Sequence, residues 1–228
     1  GGKNAALIHD VRDLDVCLDQ VASAAYLCSG QRCTAISRVL VRADMAEVVT
    51  QGLVRRAEAL VPGDGMHQGT TLGPLITSEH RDRVARMVRD GLAQSGRLRT
   101  GGVALDGAGH LFAPTVIDNV APTSSLAQDE IFGPVISVVS YSDIDEGFAI
   151  LNDSAFGLSA ALFSADTAIV ERFMTEAAAG MLHVNHGTTP DSNMPFIGMR
   201  NSGVGAPSVG PGAAAFYTTE HAVYLGHQ

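Results

Sequence analysis

Short apolar runs of strand length alternate with longer segments of helical period along most of the chain. Ala5-Ala6-Leu7-Ile8 reads as a strand, and Leu14, Cys17, Val21, Ala24, Ala25 and Cys28 then keep helical spacing from Asp13 to Cys28. Ser37 to Arg42 reads as the next strand and Met45 to Leu60 as the next helix, stopped by Pro62-Gly63-Asp64-Gly65. A helix capped by Thr77 or Ser78 runs to about Gln94, with its arginines (Arg81, Arg83, Arg86, Arg89) forming a solvated face. Gly101-Gly102 and Asp106-Gly107-Ala108-Gly109 mark a turn between short strands. Strands at 136–141, 158–163 and 180–185 follow, with helices at 143–152 and 167–178 between them. Crossover helices must lie against the sheet they connect, so this alternation predicts an α/β layered domain with a mostly parallel sheet flanked by helices.

Composition narrows the function. With 46% hydrophobic and 17% charged residues, 228 residues can bury a large core in one or two domains. A net charge of −9 without any basic run argues against a nucleic-acid surface or an anionic membrane. No apolar run approaches the roughly 20 residues that span a bilayer, and Gly1-Gly2-Lys3-Asn4 is not the charged-then-apolar opening of a signal peptide. Three cysteines without C-x-x-C pairing argue against a disulfide framework or a cysteine zinc site, and predict a reducing, cytoplasmic setting. His183 and His186 lie on an expected strand without acidic neighbours and read as structural or pocket-lining, so no metal is expected.

Cys17 and Cys28 fall on the apolar stripe of the first helix and read as packing. Cys33 instead follows Gly30, in the turn before the second strand. A thiol in a turn on rigid supports is placed to react, although from spacing alone a buried structural thiol stays open. Lying after a helix C-terminus, Cys33 gains nothing from that dipole. Backbone donors, a cofactor's positive charge or a nearby carboxylate would have to activate it.

Tyr26 followed by Gly30-Gln31-Arg32-Cys33-Thr34-Ala35 resembles the nucleophile signature of the aldehyde dehydrogenase superfamily. Two further stretches resemble the family in its own order: Glu130-Ile131-Phe132-Gly133-Pro134, and Asn185 followed by Pro195-Phe196-Ile197-Gly198-Met199-Arg200-Asn201-Ser202-Gly203. The resemblance implies a catalytic domain over residues 1–215 and a C-terminal strand within 216–228 that pairs across a subunit boundary, in a homodimer or homotetramer. It implies a small-molecule aldehyde substrate, NAD or NADP as cofactor, and Cys33 as nucleophile. Glu130 would hold the nicotinamide ribose and Phe132 would pack beside the nicotinamide. Phe196 would wall the acyl pocket, and Thr188 to Met194 would form part of its entrance.

It also implies a general-base Glu two residues before Gly1, with an oxyanion Asn and the cofactor fold further upstream. The chain carries no G-x-G-x-x-G fingerprint, so these residues alone are expected to turn over little aldehyde. Departures from the family pattern are Ile197 for a Gly, Arg200 for a Lys, and His80 and Arg83 where similar enzymes present a Gln and a Lys to the cofactor. Arg32 is expected to point to solvent, with contact to a semialdehyde carboxylate as the sharper reading. The competing readings of function are a coenzyme A-acylating semialdehyde dehydrogenase, a cofactor-independent thiol esterase or acyltransferase, and a non-catalytic module.

Overall fold

The computed structural model describes residues 1–107 and 109–227. The chain runs β1 (Asn4–Ile8), α1 (Leu14–Tyr26), β2 (Ile36–Arg42), α2 (Ala46–Glu58), α3 (Ser78–Leu92), β3 (Arg97–Thr100), β4 (Thr115–Asp118), α4 (Ser125–Gln128) and β5 (Val135–Tyr141). It continues through α5 (Ile144–Asn152), β6 (Phe156–Gly157), β7 (Ser159–Phe163), α6 (Thr167–Glu176), β8 (Met181–Val184), β9 (Met199–Arg200) and α7 (Ala213–Tyr217). Seven strands form one sheet in the order β3-β4-β5-β2-β1-β7-β8, parallel except for the antiparallel edge strand β3.

The two-residue period of the buried strands divides the core between the faces. Ala5 and Leu7 of β1, Leu40 of β2 and Leu162 of β7 pack toward α3, α5 and α6, where Val84, Val88, Phe148 and Phe173 meet them. Ala6 and Ile8, Val39 and Val41, and Ala161 and Phe163 face the other way, toward α1 and α2. Helix starts follow the capping chemistry. Asp13, Thr77, Asp143 and Asp166 each accept from a backbone N–H of the first turn of the following helix. The expected layered α/β architecture is the one observed.

Two local expectations differ. α1 stops at Tyr26 because Cys28 and Ser29 adopt left-handed backbone, with φ of 56° and 57°. The stripe therefore ends early, and Cys28 is exposed instead of packed. Cys17 is buried as expected, and burial pushes its thiol up to about 12. From Phe216 onward the single chain forms no strand among the described residues: Phe216 and Tyr217 end α7, and residues 218–227 are exposed without regular structure. Strand formation needs a sheet edge, and the chain pairs none with this segment. Arg83 of α3 is exposed as expected, and it also donates to the carbonyls of Glu130 and Ile131.

Candidate active site

The sequence matches gather at the amino-terminal edge of the sheet. Gly1 to Lys3 precede β1, the Cys33 turn precedes β2, and Glu130 to Gly133 precede β5. These strands lie side by side in the order β5-β2-β1, so stretches far apart in sequence meet at one rim.

Each signature residue around Cys33 has a mechanical task. The Tyr26 hydroxyl donates to Thr115 O at 3.1 Å, fixing the end of α1 to β4. Ser29 Oγ donates to Gly73 O at 2.7 Å. Gln31 clamps the same flanking loop, donating to Pro74 O at 3.2 Å and accepting from Ile76 N at 2.9 Å. Gly30, at φ 70°, passes so close to Gly133 that a Cβ would collide with the Gly133 carbonyl. Only glycine lets the Cys33 turn and the Glu130 loop touch backbone to backbone.

Two turns then place the thiol. Gln31 N–H donates to Cys28 O and Ala35 N–H donates to Arg32 O, both at 3.0 Å, leaving Cys33 and Thr34 at the corner of the second turn. Cys33 is half-buried, and among the described residues its N–H has no hydrogen-bond partner. Asn4 supports the turn from beneath, its Nδ2 donating to Cys33 O at 2.7 Å and to Ala35 O at 2.9 Å. Arg32 is not solvent-directed as expected. It donates from Nη2 to Ala24 O at 2.7 Å in the last turn of α1, where a cation complements the exposed carbonyls.

Glu130 is half-buried, and its Oε1 accepts from Gly2 N at 2.8 Å. Glu130 and Phe132 share a shallow cleft with Gly2, Gly30, Arg32 and Ala35; Cys33 is not among the residues lining it. Phe132 stands at the mouth, 36% exposed, with left-handed backbone at φ 57°. Its loop is held by His80 and Arg83, two of the positions that depart from the family pattern. His80 Nε2 bonds Phe132 O at 2.7 Å, with its ring edge-on to Phe132 at 6.0 Å. Arg83 donates to Ile131 O at 3.0 Å and to Glu130 O at 2.9 Å. Sequence reasoning missed this pair as supports of the site. The available signal was their three-residue spacing at the start of α3, which puts both on one helix face.

The third stretch reaches the site indirectly. Phe196 is half-buried and lines a cavity of about 410 Å³ with His183, His186, Met194, Pro195 and Ile197. The two imidazoles stack with centroids 5.7 Å apart, so the pocket-lining reading of the pair agrees with the structure. Burial, followed by the adjacent His186, lowers the His183 pKa. Cys33 is not among the residues lining this cavity. Thr188 makes the link: fully buried, it donates from Oγ1 to Thr34 O at 2.5 Å and ties the 186–197 loop to the Cys33 turn. Ile197 avoids left-handed backbone, so replacing a glycine there forces no strained conformation. Arg200 donates to Asn152 O and Ser154 O, both at 2.6 Å, and so bolts β9 to the end of α5.

Thr188→Val removes the buried donor and leaves Thr34 O unpaired at nearly constant volume. The expected cost is about 1–3 kcal/mol, read by denaturant unfolding. An unchanged midpoint would show that the tie carries no weight.

The aldehyde dehydrogenase family model matches residues 1–223. The chain belongs to the aldehyde dehydrogenase family. Among similar proteins, a succinate-semialdehyde dehydrogenase [NADP(+)] of Mycobacterium avium is 33% identical over 226 residues, covering 99% of this chain and 48% of the relative. An alpha-ketoglutarate semialdehyde dehydrogenase of Haloferax volcanii is 36% identical over 230 residues, covering 98% and 47%. The structure of a Mycobacterium tuberculosis aldehyde dehydrogenase complexed with NAD+ superposes with a TM-score of 0.88 at 30% identity, covering 92% of this chain and 44% of that one. The chain thus spans about half the length of the curated aldehyde dehydrogenases it matches. Among the described residues, no helix is long and apolar enough to cross a membrane.

Proposed function

We propose that this chain supplies the nucleophile and one cofactor edge of an NAD(P)-dependent enzyme that oxidises a small-molecule aldehyde to a carboxylic acid. The carrying observation is the backbone contact of Gly30 with Gly133, which sets the Cys33 turn beside the Glu130–Phe132 loop at one rim. In this reading the Cys33 thiolate adds to the aldehyde carbon and makes it tetrahedral, as a thiohemiacetal. The Cys33 N–H donates to the developing oxyanion, a contribution of about 3 kcal/mol at comparable sites. A nicotinamide, when bound, supplies the hydride acceptor. Loss of hydride leaves a thioester on Cys33, and water then releases the acid.

The residues present fit that cofactor. With Oε1 of Glu130 engaged by Gly2 N–H, Oε2 remains to accept from a ribose hydroxyl, and Phe132 offers an exposed ring beside it. Glu130→Gln in the full-length protein is expected to raise KM for the dinucleotide roughly tenfold, because an amide oxygen accepts more weakly than a carboxylate. Steady-state titration of NAD and NADP checks this. A change confined to KM for the aldehyde would remove Glu130 from the cofactor edge.

Phe196 walls the acyl pocket in this reading, and residues 1–215 act as the catalytic domain. The apolar tail residues Val223, Tyr224 and Leu225 are exposed, and β8 ends the sheet with a free edge. A second copy supplying a strand would cover both, in a homodimer or homotetramer. The test of function is aldehyde-dependent nicotinamide reduction by the full-length protein, with little or none expected from these 228 residues alone. Full activity of the 228 residues would refute the division of labour.

A further inference from the structure

Lys3 is the only lysine in the chain, and it is 2% exposed. Its backbone lies between the two residues that grip the candidate site: Gly2 N–H bonds Glu130, and Asn4 Nδ2 bonds Cys33 O. Lys3 lines a small cavity of about 20 Å³ together with Arg38, Ser159 and the end of α5. Lys3 Nζ and Ser159 Oγ are both buried there, and neither has a partner among the described residues. Arg38 is already committed. It donates to Lys3 O at 3.2 Å, Ile150 O at 3.1 Å and Leu151 O at 3.2 Å, capping the C-terminal end of α5. The volume exceeds the ~10–15 Å³ that one water requires, and two of the lining residues carry unpaired polar groups.

We propose that this cavity is an internal water site in which one ordered water bonds the Lys3 amine and the Ser159 hydroxyl, making Lys3 a proton-linked positioning residue for the Cys33 turn and Glu130. Its relevance to catalysis rests on the proposed function, whereas the site itself does not. The charge balance favours the neutral amine. Burial, then the Arg38 cation, lowers the Lys3 pKa from 10.5 to about 7, while Asp129 and Glu130 oppose the shift from the loop before β5. The other cavity residues, on α5, β7 and the 178–179 segment, bring no charge. Below about pH 7 a second cation sits beside Arg38 among buried groups. The strand end carrying Gly2 and Asn4 then loosens its hold on Glu130 and Cys33 O. The unfolded chain alone holds this proton between about pH 7 and 10.5, so stability rises with pH through that window.

A sole lysine makes the test direct, because 13Cε-lysine labelling of the chain gives one resonance to titrate. We expect a midpoint near pH 7, with the Gly2 amide and Asn4 side-chain amide signals moving at the same midpoint. Ser159→Ala loosens the water and should lower the lysine midpoint by roughly 0.5 units, since the ammonium loses solvation. Lys3→Met should fold with those amide signals flat across the range. A lysine midpoint at 10 or above, an unshifted midpoint in Ser159→Ala, or amides that ignore the lysine's titration would each overturn the proposal. If Lys3→Met does not fold, the wild-type and Ser159→Ala titrations decide it. No readout depends on aldehyde turnover, so failure here is distinguishable from failure of the proposed activity.

Discussion

Replacing Cys33 by Ala in the full-length protein is expected to reduce kcat/KM for aldehyde oxidation at least a thousandfold, or about 4 kcal/mol of transition-state stabilisation. The size follows from the chemistry, since the aldehyde carbon must become tetrahedral before hydride can leave and no other thiol lies at this rim. Cys17 is buried, with its thiol held up near 12. Cys28 is exposed but faces a different cavity, with Tyr26, Leu27, Leu60 and Thr71. Cys28→Ser therefore serves as the control and should leave turnover within about twofold of the parent. Residual activity above about a thousandth in Cys33→Ala would remove Cys33 from the nucleophile's role.

The second large effect is expected at Gly30→Ala. The added methyl meets two penalties at once: left-handed backbone at φ 70°, costing an alanine about 1–2 kcal/mol, and collision with the Gly133 carbonyl. Relieving that collision by backbone movement adds about 1–3 kcal/mol, for a total of about 3 kcal/mol on unfolding. Function should fall further than stability, because the movement separates the Cys33 turn from the Glu130 loop. Below the thermal transition, KM for the cofactor should rise and kcat should drop together. A variant with parental stability would show that the contact does not constrain the site.

The fold was legible in the sequence wherever one signal dominated. Alternating strand and helix periods implied a mostly parallel sheet flanked by helices, and Thr77 marked the start of α3. Errors arose where backbone conformation or tertiary partners overrode periodicity. Cys28 continued the stripe of α1 in spacing, yet left-handed backbone at Cys28 and Ser29 ended the helix first. The apolar pattern of Phe216 to Leu225 resembles a strand, but strand pairing depends on an edge that the sequence does not place.

The candidate site shows a similar division. Tyr26, Gly30, Gln31 and Cys33 were conspicuous because they resemble the family's signature within one short stretch of sequence. Arg32, His80, Arg83 and Lys3 were not, since their partners lie elsewhere in sequence or behind the strand. Arg83 bonds residues 47 and 48 positions away. Lys3 carried no sequence signal of burial, because nothing in Gly1-Gly2-Lys3-Asn4 shows that it lines the cavity by Arg38 and Ser159.

The central claim is that Cys33 carries the acyl group. The most direct measurement mixes the full-length protein with aldehyde and NAD or NADP, quenches in acid before the thioester hydrolyses, and maps the acyl mass by peptide mass spectrometry. The account predicts that mass on the peptide containing Cys33 and its absence without nicotinamide cofactor. Acyl mass on Cys28 or Cys17, or on Cys33 regardless of cofactor, would contradict it.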